Sequence, residues 1–289
     1  VENRSKIHFD PERGPTETLR HMRKAIEDVL RDNDSARPVV GIGCGLPGMV
    51  DRKGRVFASV MSGWNGVPVK ELVGRELGIP VKVDNAARLN TLSEMWFGTV
   101  RGTSSAVVID MSDGIAAGVV ISGSLWRGVH SLAGEIGHTN WGSHTQECRC
   151  GGTSCWEHTA ATTVLLDRLR AKGIVGGDGG RPTVDNIAAR IDEPEIWDEV
   201  TRHAGHVAEG VANVVLTYDP DLIVIRGGSD RLGPQFMDLI RALVNERFSA
   251  FEGVDPYIVA SALGPDADVL GAVSLVFADY WGLDSSEFN

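Results

Sequence analysis

The stretch IPVKVDNAARLNTLSE (79–94) decides the fold class. Residues 79–83 alternate small and β-branched apolar side chains as a strand does, and the residues after Asn85 carry helical spacing. Asp84 and Asn85 therefore stand where a strand gives way to a helix, the place where α/β proteins assemble their chemistry. Upstream, PVVGIGCGLPG (38–48) predicts a buried strand running into a tight turn, DRKG (51–54) reverses the chain into VFASV, and VPVKELVGRELG (67–78) predicts a helix stopped by Gly78. Before these, Thr16 is placed to cap a helix whose apolar stripe is Leu19, Met22, Ile26, Val29 and Leu30, and VENRSKIHFD (1–10) reads as one strand of a hairpin.

Downstream, SAVVID (105–110) and IAAGVVI (115–121) predict two strands turned by SDG, and a cysteine-rich loop and a helix from about Ala160 to Ala171 follow. GIVGGDGGRP (173–182) reads as a flexible surface excursion, with more helix to about Thr217. The strand DLIVIRGG (221–228), the helix PQFMDLIRALVNERF, the strand PYIVAS and the helix DVLGAVSLVFADYW complete an alternation of strands and helices that gives an α/β fold.

The 289 residues are 42% hydrophobic, enough to bury a substantial core, and the net charge of −11 opposes direct binding of this stretch to nucleic acid. No apolar run approaches the ~18 residues of a membrane span and no signal peptide opens the chain, so the expectation is a cytoplasmic protein.

GCGLPG (43–48) satisfies G-x-G-x-x-G after a strand, but MVDRKGRV forms a turn and a strand where a dinucleotide site needs a helix N-terminus. The glycines instead let the backbone pass close to a ligand or a neighbouring strand. GEIGHTNWGSHTQECRCGGTSCWEH (134–158) carries the strongest signal. Cys148, Cys150 and Cys155 lie within eight residues, ten residues after His138, with His144 and His158 as further candidates, His158 on a helix surface. Three thiols and an imidazole are a closed tetrahedral zinc set with Zn–S near ~2.3 Å, and a structural one, because four protein ligands leave no position for water. Three free thiols in a cytoplasmic loop would be readily oxidised. Glu135 and Glu157 flank the loop and, with His138, form an acceptor-rich face suited to a sugar's hydroxyls.

These segments resemble the ROK family of sugar kinases and sugar-responsive repressors. GIGCGLPGMVD is similar to its G-x-G-x-P-G-x-V-D turn, GEIGH with CRCGGTSCWE to its zinc signature, and DLIVIRGG to its late glycine strand. The resemblance implies a two-lobed actin-like ATPase (ribonuclease H-like) fold with a zinc-binding loop, a sugar between the lobes, and homodimers. It implies a small lobe over 1–98 completed by a helix at about 267–282, and a large lobe over 99–266 containing the zinc loop 134–158. By matched position it assigns structural zinc to His138, Cys148, Cys150 and Cys155, and sugar contacts to Gly48, Asn85, Glu135, His138 and Glu157.

The departures set the functional expectation. Where the family's kinases read V-E-N-D-A-N-A-A-A-L-A-E, this chain reads VDNAARLNTLSE, with Ala86 at the place of the aspartate base. A positioned base contributes ~10²–10⁴ in rate. Asp84 is two positions earlier, but side chains diverge at a strand end. The phosphate turn L-G-T-G-I-G-x-G becomes MSDGIAAG (111–118), putting Asp113 where triphosphate oxygens would lie. The D-x-G-G-T hairpin has no counterpart, and Val60 stands at the place of a sugar-binding asparagine. The reading is a catalytically inactive effector-sensing portion of a ROK-type transcriptional regulator, a fragment of a longer protein. It responds to a sugar or sugar phosphate and reaches DNA only through an absent N-terminal helix-turn-helix. The alternatives are an ATP-dependent, glucokinase-like sugar kinase and a scaffold reduced to its zinc loop and oligomer interface.

Overall fold

The computed structural model describes residues 13–31, 38–59, 63–142, 146–148, 150–177, 179–264 and 266–282. The opening VENRSKIHFD, Val60 and His144 lie outside them. In chain order the elements are α1 (Pro15–Arg31), β1 (Ile42–Leu46), β2 (Met49–Val50), β3 (Val56–Ala58), α2 (Val69–Leu77), β4 (Val81–Asn85) and α3 (Ala86–Phe97). Then come β5 (Ala106–Asp110), β6 (Ala116–Ile121), β7 (Ser124–Trp126), α4 (Glu157–Ala160), α5 (Thr162–Ala171), α6 (Val184–Ala188) and α7 (Pro194–Tyr218). The chain closes with β8 (Leu222–Arg226), α8 (Pro234–Phe248), β9 (Ile258–Ala260) and α9 (Ala267–Tyr280).

β1 and β4 pair in parallel, β2 and β3 form an antiparallel ribbon, and five strands form a sheet in the order β7-β6-β5-β8-β9. In that sheet β5, β8 and β9 run parallel while β6 and β7 add antiparallel neighbours. Every residue of β5 is buried, and the two-residue period divides them between two layers. Ala106 and Val108 meet Leu89, Leu92 and Met95 of α3. Val107 and Ile109 join Val207, Val211, Phe236 and Ile240 of α7 and α8. A separate cluster around Val56, Trp64, Val69 and Val73 holds β1 to β4 together with α1 and α2.

The last helix returns to the first sheet. Gly271 of α9 lies so close to α3 that a Cβ there would come within 2.0 Å of the Leu89 carbonyl oxygen, so only glycine permits the approach. Among the described residues no helix is long and apolar enough to cross a membrane.

Several boundaries differ from the sequence reading. β4 runs on through Asp84 and Asn85, since both are buried with partners instead of opening a loop. Pro15, with its fixed φ, opens α1 and leaves Thr16 inside the first turn, not at the cap. The helix read over 160–171 breaks at Ala161, whose ψ of 146° is extended. The excursion at 173–182 is irregular but sends Ile174 into the main core, with 7% of its surface exposed.

One buried polar chain ties the glycine strand to the turn after β5. Thr162 Oγ1 donates to the Met111 carbonyl, so its lone pair receives the Ser229 hydroxyl at 2.7 Å. Ser229 in turn accepts from His203 Nε2 at 3.0 Å, which makes His203 the neutral Nε2–H tautomer and leaves Nδ1 without a partner among the described residues. Burial, with Arg168 and His206 nearby, pushes His203 down to about 3. The neutral form is the one the fold holds, so its contribution is complete above the unfolded value near ~6.5 and is lost as pH falls from there toward 3. Unfolding in denaturant from pH 7 to pH 5 is expected to show stability dropping by about 1 kcal/mol per unit more steeply in the wild type than in His203→Gln. Equal slopes would contradict this assignment.

Candidate functional site

At the end of β4, Asn85 caps α3. Its Oδ1 accepts from the Ala87 and Arg88 amides at 2.9 and 3.2 Å, and its Nδ2 donates to the Gly48 carbonyl at 2.8 Å. This joins two of the residues expected to contact sugar, Gly48 and Asn85, and uses most of the Asn85 side chain in doing so. Ala86 is the first helical residue and offers only a methyl group.

Asp84 is unfit as a replacement base for a stronger reason than strand geometry. It is 5% exposed, and Oδ1 accepts from Arg88 Nε at 2.6 Å and from the Asn85 amide at 2.7 Å, while Oδ2 accepts from Arg127 at 3.0 Å. Arg88 is itself 1% exposed and donates to the carbonyls of Val50 and Ser131 at 2.7 and 3.1 Å. A carboxylate whose two oxygens are both taken by guanidinium donors is committed to those partners and is not free to turn toward a hydroxyl.

Glu135 and His138 are set by a 3-10 turn, Ile136–His138, laid tightly over β6. Gly134 has φ of 94°, and a Cβ there would lie 1.8 Å from the Ala117 carbonyl oxygen, so the crossing demands glycine. Burial raises Glu135 above the usual carboxylate range; His138 and Arg88 pull it down and Glu157 pushes it up. His138, Cys148, Cys150 and Cys155 each turn a ligand atom inward, and the four atoms lie within 4.8 Å of one another. Cys150 and Cys155 sulfurs are 3.5 Å apart, and Cys148 Sγ is 3.7 Å from His138 Nδ1. A tetrahedron with ~2.3 Å bonds has edges of about 3.8 Å, so the cluster has the size and donor set of a metal site. The loop is fixed by pairing of Asn140 with Cys155 and of Glu147 with Thr153, and by the Gly152 amide donating to Cys150 Sγ at 3.4 Å.

Glu157 lies nearer this cluster than the sequence suggested. Its Oε1 is 3.3 Å from His138 Nδ1 and 3.6 Å from Cys148 Sγ. The other oxygen faces Gly114 in the turn after β5, where a Cβ would come within 2.9 Å. His158 is not a plain surface residue: it is half-buried and forms, with Cys148 and Glu157, a second group close enough to share an ion. The fourth thiol, Cys44, is buried in β1 away from the cluster and is pushed up to about 12 by burial.

Sequence reasoning missed a second charged group at the carboxyl ends of β5 and β8. Parallel register sets Asp110 beside Arg226, which pair directly. Asp110 also accepts from Asn90 Nδ2 at 2.7 Å and from the Ser112 amide at 3.1 Å, and Arg226 reaches Asp268 of α9 at 3.2 Å. The only signal was a charged residue ending the apolar run LIVI.

Comparison with known proteins places this arrangement. The chain is 30% identical over 264 residues to the xylose repressor of Caldicellulosiruptor bescii, covering 88% of this chain and 66% of the repressor. It is 29% identical to the glucokinase of Thermotoga maritima, covering 92% of this chain and 86% of the enzyme. It spans just under two thirds of the repressor's length. Among solved structures, a ROK family glucokinase from Streptomyces griseus with glucose and AMPPNP superposes with a TM-score of 0.77 at 26% identity, covering 89% of this chain and 87% of that one. A ROK family transcriptional regulator homologous to E. coli MLC gives 0.76 at 23% identity, over 93% of this chain and 70% of that one, a likeness of fold. The model of the ROK family matches residues 1–279, and the chain belongs to that family, with its α/β sugar-kinase-like fold.

Proposed function

We propose that this chain is the sugar- or sugar-phosphate-sensing portion of a ROK-type transcriptional regulator and does not transfer phosphate. The observation that carries the reading is Asp84 clasped by Arg88 and Arg127 beside an alanine at position 86. The carboxylate nearest the place of a base is neutralised, and the position itself is bare. A second obstacle lies at the strand ends where open α/β sheets bind phosphates. There Asp113 is exposed, Asp110 adds another carboxylate, and Arg226 is already engaged by Asp110 and Asp268.

On this reading Gly48, Asn85, Glu135, His138 and Glu157 line the sugar site, and a structural zinc on His138, Cys148, Cys150 and Cys155 stiffens it. His138 turns Nδ1 to the thiols, which leaves Nε2 for a hydroxyl. Packing of α9 on β1 and α3 supports a small lobe of residues 1–98 with about 267–282 and a large lobe of 99–266. The sugar shifts the balance between lobe arrangements by its differential affinity for them. The protein acts in the cytoplasm as a homodimer, with DNA contacted by a helix-turn-helix outside this stretch.

Titration calorimetry with a panel of pentoses, hexoses and their phosphates tests the sensing role; silence across the panel at millimolar concentration would count against it. The rival is a sugar kinase, a reading that the glucokinase relatives support. Ala86→Asp separates the two. If the base were the sole lesion, the substitution would restore a factor of ~10²–10⁴. The expected result is no ATP-dependent sugar phosphate above background in either protein, because the phosphate side remains obstructed. Clear turnover by the unaltered chain would overturn the sensor reading.

A further inference from the structure

A cavity of about 760 Å³ opens between β4 and the β6–β7 hairpin and contains none of the residues assigned to the sugar or the metal. Its volume falls within the roughly 300–1,000 Å³ of small-molecule sites. Four cationic side chains reach it, from Arg52, Lys70, Lys82 and Arg127, in a chain whose net charge is −11. Three carboxylates also border it, and each is committed elsewhere. Asp84 is held by Arg88 and Arg127, Asp51 by Arg55 and the Lys53 and Arg55 amides, and Asp279 by Lys82. Arg52 and Lys70, both exposed, make no ion pair among the described residues. The cavity therefore has a surplus of positive charge held by two side chains without an anion.

The rest of the wall has a different character. Val50, Val83, Leu125 and Leu275 form an apolar interior, and Trp126 stands at the rim with 49% of its surface exposed. Lys70 is held in place by its backbone, since its amide donates to the Gly54 carbonyl at 3.1 Å and Gly54, at φ of 72°, presses against the lysine stem. The cavity pairs an indole and an aliphatic floor with two free cations, which is the complement of a small organic anion with a planar or apolar body.

We propose that this cavity is a second ligand site, taking a small aromatic or apolar anion, a phosphate ester or a carboxylate, whose head meets Arg52 and Lys70 and whose body lies against Trp126. The two cations come from the β2–β3 turn and α2, and Trp126 from β7 of the five-stranded sheet, so a ligand there bridges the β2–β3 ribbon and the five-stranded sheet. Any preference between arrangements of these two parts then makes it an effector site independent of the sugar.

The test titrates phenyl phosphate, benzoate and inorganic phosphate into the full chain by calorimetry at low and raised salt. Phenyl phosphate or benzoate is expected to bind saturably, more weakly at high salt, and to lose about tenfold or more in affinity in the Arg52→Ala/Lys70→Ala variant. The stronger of the two probes identifies the head group. Trp126→Ala is expected to weaken both aromatic probes while leaving inorganic phosphate unchanged. All three residues are exposed, so the variants should keep the wild-type Tm, and because none belongs to the sugar set the result stands whether or not a sugar binds. The proposal is overturned if neither aromatic probe binds at about 10 mM, or if binding is the same in the double variant.

Discussion

Replacing Arg88 by methionine is expected to cost about 3–5 kcal/mol of folding stability, the range for breaking a buried ion pair from one side. Methionine preserves the length and the apolar contacts of the stem, so the loss isolates the guanidinium. That group is 1% exposed and makes three kinds of bond at once: to Asp84, to the Val50 carbonyl and to the Ser131 carbonyl. Its removal takes a donor from two carbonyls, Val50 and Ser131, and leaves Asp84 with Arg127 and the Asn85 amide. The same side chain links α3, the β2–β3 ribbon and the loop after β7, so the damage spreads beyond one element. Denaturant unfolding should show the loss as a lower midpoint, and thermal melting as a fall in Tm of about 10 °C. Asp84→Asn in the same background should add less than it costs alone, a coupling of about 1–3 kcal/mol. A loss below about 1 kcal/mol would place the pair among those that only screen each other, and would remove the argument that Asp84 is structurally occupied.

How far the sequence could be read depends on the distance over which each feature is encoded. The strand-to-helix junction at Asp84 and Asn85 was legible because a polar pair interrupts two different periodicities within a dozen residues. The Asp84–Arg88 pair is four residues apart across the strand-to-helix junction, a local spacing that could have been noticed. Arg127 is 43 residues further on and meets Asp84 only because the β6–β7 hairpin folds back over β4, which no local pattern states. Asp110 and Arg226 are farther apart still and are joined by the parallel register of β5 and β8. The Cys3His cluster was legible because its three thiols fall within one short glycine-rich loop, whereas the approach of Glu157 to Cys148 follows from the start of α4. His203 gave no signal, since a histidine within a long amphipathic helix is ordinarily a surface residue; its partners Ser229 and Phe236 lie on other elements. The error at the end of β4 has the same root. Polar residues ordinarily end a strand, but Arg88 from the next helix and Arg127 from beyond β7 hold Asp84 inside it.

Cys155→Ser is expected to weaken metal retention by more than about a hundredfold, as measured by competition with a chromogenic chelator, while Cys44→Ser leaves it unchanged. The two thiols are both buried, so the contrast separates ligation from burial. Cys155 is 1% exposed, 3.5 Å from Cys150, and joined to Asn140 by a backbone bridge; Cys44 faces the apolar cluster of the first sheet. Serine keeps the size of the side chain but replaces a soft thiolate with a hydroxyl that is a poor ligand for zinc. Loss of the ion should be felt first between Thr139 and Trp156, the segment that carries the three thiols, and limited proteolysis should cut there. The main core should survive, because Trp156 donates to the His206 carbonyl at 2.8 Å and Leu165, Val207 and Phe236 pack without help from the loop. Sugar binding should disappear together with the metal, since His138 supplies a ligand atom to the ion and Glu157 lies beside it. If the variant lost its metal but bound sugar with wild-type affinity, the loop would be a stabilising clasp and the candidate contacts at Glu135, His138 and Glu157 would have to be sought elsewhere. If both thiol variants lost metal alike, the four-residue cluster would not be the metal site.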